Sequence, residues 1–156
     1  MTNTNITTNS LQPKIYVACL AAYNAGYLHG VWIDATESLD FILSAIRTML
    51  SNSPIPNAEE WAIHDYEDFS SIHLEEYTGL DTVVAIVEIV KEHGELGAEI
   101  IAYHGNCLDD AKTALENYCG EYDNEADYAE QLMNDCYDVP EHLQFYINYD
   151  KFAHDL

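Results

Sequence analysis

Carboxylates are the side chains with which this chain could do chemistry: it carries 28 Asp and Glu against five Lys and Arg. Such groups serve as paired acids and bases, as hard ligands for cations, or as fixed negative charge. With acids this dense, chance pairs occur everywhere, and no spacing singles out a catalytic pair. The best cation candidate is Asp123-Asn124-Glu125-Ala126-Asp127. An EF-hand calcium loop needs Gly at its sixth position and Glu at its twelfth. Tyr128 and Asn134 stand there instead. The seven histidines (His29, His64, His73, His93, His104, His142 and His154) are scattered, with no HExxH and no zinc quartet. His64 beside Asp65 could form a dyad, but an exposed imidazole on a strand is the simpler account. No GxSxG, GxGxxG or Walker A motif occurs. No motif therefore picks out a catalytic residue, a cofactor site or a metal site.

Fixed charge remains, and its placement is uneven. Only Asp34, Glu37 and Asp40 precede residue 59; every other acid lies from Glu59 onward, alongside Lys91, Lys112 and Lys151. At ~100° per helical residue, Glu88, Glu92, Glu95 and Glu99 share about a 60° sector, and Asp81 joins them. An uninterrupted axis would carry Glu88 to Glu99 over roughly 16 Å, about one carboxylate per 5–6 Å. That approaches the phosphate repeat of one nucleic-acid strand. Gly94 stands between them, so the stripe is conditional on a continuous helix. Asp127, Glu130 and Asp138 make a second stripe, opposite the apolar face of the last long helix. Any acidic amphipathic helix turns acids to water. Ordinary exposed helices also intersperse lysines, because i,i+4 pairs of opposite sign help and like charges hurt. Here only Lys91, Lys112 and Lys151 stand among the acids from Glu59 onward.

The formal net charge is −23, yet 48% of the residues are hydrophobic, which an acidic disordered tail does not show. At ~1.7 Å of duplex axis per charge, that net charge corresponds to roughly 39 Å, about 11 or 12 base pairs. Self-repulsion on this scale costs stability. Solubility, cation binding, a basic partner or imitation of a polyanion could favour it. Five basic residues cannot line a phosphate backbone, so nucleic acid is excluded as a partner, and an anionic membrane with it. No apolar run reaches the length of a bilayer span.

The elements that must position these acids read as an α+β chain of small modules. Residues 14–20 predict a strand with Ile15, Val17 and Cys19 on one face, and residues 27–33 a second strand joined through Asn24-Ala25-Gly26. Thr36 or Ser38 caps a helix to about Leu50, with Leu39, Ile42, Leu43, Ile46, Met49 and Leu50 inward. Trp61 to Tyr66 returns as a third strand, completing an antiparallel sheet with one helix over residues 14–72. A helical module over 73–107 follows: Asp81 caps a helix that ends at Gly94, and a short helix runs from Glu95 to Tyr103. Over 108–156 a small acidic α/β module is expected. Asp109 or Asp110 starts a helix with Tyr118 inward that stops at Gly120. Asn124 caps another, residues 143–149 form a strand, and Asp150 to Leu156 a last helix. Met1 to Gln12 is polar, lacks the marks of a signal peptide, and reads as a disordered arm within residues 1–13. Cys19, Cys107, Cys119 and Cys136 show no CxxC spacing, as free thiols in a reducing cytoplasm would.

Three segments together resemble the ArdA family of antirestriction proteins, carried by conjugative plasmids and transposons. The first is Ile15-Tyr16-Val17-Ala18 with Tyr23-Asn24-Ala25-Gly26 and Gly30-Val31-Trp32. The second is Trp61-Ala62-Ile63-His64-Asp65-Tyr66-Glu67. The third runs from Tyr118-Cys119-Gly120-Glu121-Tyr122-Asp123 to Asp127-Tyr128-Ala129-Glu130 and corresponds to the family's acidic antirestriction segment. The resemblance spans about Lys14 to Leu156. It implies a DNA mimic without enzymatic activity that occupies the DNA-binding groove of type I restriction-modification enzymes, on their specificity and methyltransferase subunits. It also implies an elongated homodimer of three small modules per chain, with the dimer contact toward the C-terminal third. Family members are expected to run on past the segment matching Tyr149 to Leu156, adding strand-like residues that this sequence does not have. The phosphate-like face would be supplied by Glu75, Glu76, Asp81, Glu88, Glu92, Glu95, Glu99, Asp109, Asp110, Glu116, Glu121, Asp123, Glu125, Asp127, Glu130, Asp135 and Asp138. On the residues alone two rivals stay open. One is a hydrolase with a divalent metal held by converging carboxylates; the other is an acidic adaptor for a different basic protein.

Overall fold

A computed structural model describes residues 10–156, so most of the expected N-terminal arm lies outside the described residues. Of the part inside them, Leu11 packs on the core and Pro13 is fully buried. The chain divides into two compact units, one ending at Asn117 and the other spanning Tyr118–Leu156.

The first unit is built on a three-stranded antiparallel sheet of order β2-β1-β3, from β1 (Lys14–Cys19), β2 (Gly30–Asp34) and β3 (Trp61–Glu67). The alternation expected of β1 holds: Ile15, Val17 and Cys19 are completely buried. On the other face Tyr16 lies opposite Trp32 across the β1–β2 ladder, with ring centroids 5.4 Å apart. The connection between these strands is more than a turn. It folds into a short helix, α1 (Leu20–Asn24), because Cys19 Sγ accepts the Ala22 amide at its start and Ala22 is buried.

Helix α2 (Leu39–Ser51) starts as expected at Ser38, whose hydroxyl accepts the Phe41 amide at 3.2 Å. It buries Ile42, Ile46 and Met49, an i, i+4, i+7 stripe. Helix α3 (Leu80–Tyr103) buries Val83, Ile86, Val87, Ile89, Val90, Ala98 and Ile101. These residues join the sheet, α2, Phe69, Ile72 and Ala111 of α4 (Leu108–Glu116) in one hydrophobic cluster. Three expected boundaries move. Gly79, not Asp81, occupies the cap of α3, and Asp81 falls in its first turn. Helix α4 starts behind Cys107 and ends at Glu116, so Tyr118 is exposed rather than inward.

The second unit is helical: α5 (Glu125–Cys136), α6 (Glu141–Gln144) and α7 (Tyr149–Asp155), with α5 packed on α7. The strand expected over 143–149, and with it the α/β character of this module, is not formed. Asn148 accepts the Lys151 amide at 2.9 Å and starts α7, while Pro140 precedes α6. Local caps prevail here because among the described residues no strand follows β3 to pair with this segment. The fold class is α+β, with its sheet near the N-terminus.

Candidate functional site

All 28 carboxylates lie among the described residues; Asp34 is half-buried and every other one is exposed. Asp34 takes a structural part. Its Oδ1 accepts the Thr36 hydroxyl at 2.6 Å and the Thr36 amide at 2.9 Å. These bonds, the hydroxyl's first, hold its carboxyl below the usual range against partial desolvation, with Lys14 and Lys91 helping.

The remaining acids are uncompensated. Among the described residues, the basic side chains that come within 4 Å of a carboxylate are histidines: His64 with Glu76 at 3.7 Å, His93 with Glu92 at 3.8 Å and His154 with Asp155 at 3.5 Å. No lysine or arginine pairs with an acid there. Lys91 turns to the carbonyl of Thr36 at 3.5 Å.

Along the chain the 17 expected acids fall into four groups. Glu75 and Glu76 sit in the loop before α3. The Glu75 amide is held by the Thr78 hydroxyl, and the Glu76 carbonyl accepts the Ile63 amide. On α3, Asp81, Glu88 and Glu92 share about a 40° sector at ~100° per residue, opposite the buried valines and isoleucines. Gly94 is non-helical, at φ 60° and ψ −141°, and breaks α3 there. The single stripe through Glu99 therefore does not form. Glu95 and Glu99 belong to a separate helical segment, where Glu99 Oε1 accepts the hydroxyls of Ser71 at 2.5 Å and Ser70 at 3.3 Å.

Asp109 and Asp110 lie in the first turn of α4, where the helix dipole favours them, and Glu116 at its end, where it does not. In the second unit, Glu121 and Asp123 precede α5, and Glu125, Asp127, Glu130 and Asp135 ride on it. Asn124 and Asp127 exchange bonds at the cap: Asn124 Oδ1 accepts the Asp127 amide and its Nδ2 donates to Asp127 Oδ2, both at 3.0 Å. Asp138 lies beyond the end of α5, so it leaves the second expected stripe.

The rival chemistries find little geometry. His64 faces Glu76 and the ring of Tyr23, at 4.8 Å, while Asp65 Oδ1 accepts the amide of Tyr66; the two neighbours form no dyad. Among the described residues no three His, Cys, Asp or Glu side chains converge as metal ligands would.

One feature escaped the sequence. Cys119, Gly120, Tyr122, Asn124, Glu125 and Tyr128 line a cavity of about 480 Å³ inside the acidic segment. Tyr122 donates to the Cys119 carbonyl at 3.0 Å, Tyr128 donates to Cys119 Sγ at 3.8 Å, and the two rings sit 5.2 Å apart. The bond to Cys119 pushes the Tyr128 phenol up from its usual value. Tyr122 precedes α5 and Tyr128 lies on it, so no single periodicity could have joined them.

Exposed carboxylates without lysine or arginine partners, on the loops and helices of each unit, are thus what the described residues offer. A model of the antirestriction protein (ArdA) family matches residues 15–156. The chain belongs to the ArdA antirestriction family. ArdA proteins are inhibitors that act on restriction-modification enzymes, and antirestriction is the function that membership carries. The segments that carried the ArdA resemblance map onto β1, α1 and β2, onto β3, and onto the stretch leading into α5. No match was found among curated proteins. No helix among the described residues is long and apolar enough to cross a membrane.

Proposed function

We propose that this ArdA protein is a DNA mimic that competes with DNA for the binding groove of type I restriction-modification enzymes, on their specificity and methyltransferase subunits. It acts in the cytoplasm as a homodimer and performs no catalysis. The observation that carries this reading is the exposed acidic surface without lysine or arginine partners. A carboxylate already paired within its own protein has little field left for a partner, whereas unpaired exposed ones attract basic side chains at a distance. The 17 acids from Glu75 to Asp138 stand for backbone phosphates, and the three-module division at residues 72 and 107 describes how the chain presents them. The metal-hydrolase alternative needs carboxylates converging in a cleft, and nothing in the geometry favours it over the mimic.

The test is a pull-down from cells that contain a type I restriction system, repeated with increasing duplex DNA. DNA is expected to displace the protein. Capture that duplex DNA leaves untouched would assign binding to another surface and favour the adaptor reading.

A further inference from the structure

Two glycines in α3 meet two different demands. At Gly94 the backbone adopts φ 60° and ψ −141°, which L side chains rarely take, yet a Cβ built there meets nothing within 4 Å. The constraint is conformational, and glycine satisfies it without strain. At Gly97 the constraint is space. A Cβ would lie 2.9 Å from His93 Cβ, 3.0 Å from the Ile89 carbonyl oxygen and 3.2 Å from Ile89 Cγ2. The segment after the break therefore presses directly on the last turns of the segment before it. The hydroxyls of Ser70 and Ser71 donate to Glu99 on the later segment.

We propose that this glycine corner is a positioning device for the anionic surface. It sets the direction in which Glu95 and Glu99 are presented relative to Asp81, Glu88 and Glu92, so that a rigid basic groove meets both runs together. The proposal rests on the DNA-mimic reading and adds to it: charge positions, not charge number alone, set affinity. An L-alanine at position 94 is strained in the observed backbone and unstrained in a continuous helix. Continuation would rotate the second segment and bring Glu95 and Glu99 into one sector with Asp81, Glu88 and Glu92, out of the direction that the break gives them, with every charge retained. A flexible polycation can follow that change, whereas a folded groove cannot.

The experiment titrates full-length wild type, Gly94→Ala and Gly97→Ala over a salt series against two probes, a type I modification methyltransferase and poly-L-lysine. Thermal unfolding of each protein is recorded alongside. Gly94→Ala is expected to lose about tenfold or more in affinity for the methyltransferase. Its affinity for poly-L-lysine, and the slope of log K against log salt toward that probe, are expected to stay at wild-type values, whereas the slope toward the methyltransferase, which counts the charges engaged, is expected to flatten. A cooperatively folded Gly94→Ala with wild-type methyltransferase affinity overturns the corner's role. So does an equal loss toward both probes, which marks general damage. If Gly94→Ala does not fold, Gly97→Ala disturbs the same corner through space, with the same expected and overturning results. Wild type that fails to bind the methyltransferase, or that duplex DNA does not displace, overturns the mimic reading instead.

Discussion

Asp34 and the helical acids show two uses of one side chain. Asp34 closes a local turn through Thr36, and its charged form is what the two bonds hold. Asp34→Ala is expected to lower stability by about 1 kcal/mol, read as a shift in the urea midpoint at neutral pH. The sign with pH follows from the direction of the shift. The folded carboxyl lies below its ordinary value of 3.8, so the contribution is present above that value and is lost as pH falls through the folded one. The gap between wild type and variant should close on acidification, and a gap that widens would exclude the Thr36 bonds as its source. The exposed acids behave otherwise. Glu88→Gln or Asp110→Asn removes one charge among many and is expected to change inhibition less than about fivefold, since exposed pairs contribute under about 1 kcal/mol. If one such change abolished inhibition, a discrete site would replace mimicry.

At the scale of elements, caps and core stripes decide the fold. Asn124→Ala removes the side chain that holds both the Asp127 amide and its carboxylate. It is expected to cost about 1 kcal/mol, seen as lost helicity in the second unit. Phe69→Ala, at a fully buried ring that packs edge-on to Tyr66, is expected to cost about 3–5 kcal/mol in the first. These elements also show what the residues disclosed. Strand β1 was legible from the alternation of Ile15, Val17 and Cys19, and α2 from Ser38 followed by Ile42, Ile46 and Met49, because both signals are local. The region of Phe145, Tyr146 and Ile147 misled. Its β-propensity is a preference for a pleated, half-buried neighbour, and no strand pairs with it; Phe145 and Tyr146 are exposed instead. The exposure of the acids follows from their charge, and the break between Glu92 and Glu95 from Gly94, where the expected helix ends and the observed one turns non-helical. The end of α5 before Asp138 is the part that periodicity does not encode.

For the whole molecule, the absence of lysine and arginine partners turns a net charge of −23 into a field available to others. An acidic surface laced with lysines would cancel much of its field within one Debye length, about 10 Å at 0.1 M salt. Among the described residues the only basic side chains within 4 Å of this surface's acids are histidines, so most of the screening must come from dissolved ions. Salt is therefore expected to act strongly on inhibition, because each basic groove residue engaged adds to the steepness of log K against log salt. Replacing Glu88, Glu92, Glu95 and Glu99 together by Gln should flatten that line, where any single replacement hardly changes it. The comparison separates two mechanisms that a single affinity cannot. Apolar docking would leave the line shallow in wild type and quadruple variant alike, whereas charge imitation requires a steep line that flattens as charges are removed. Inhibition that is equal at low and high salt would sink the electrostatic mechanism.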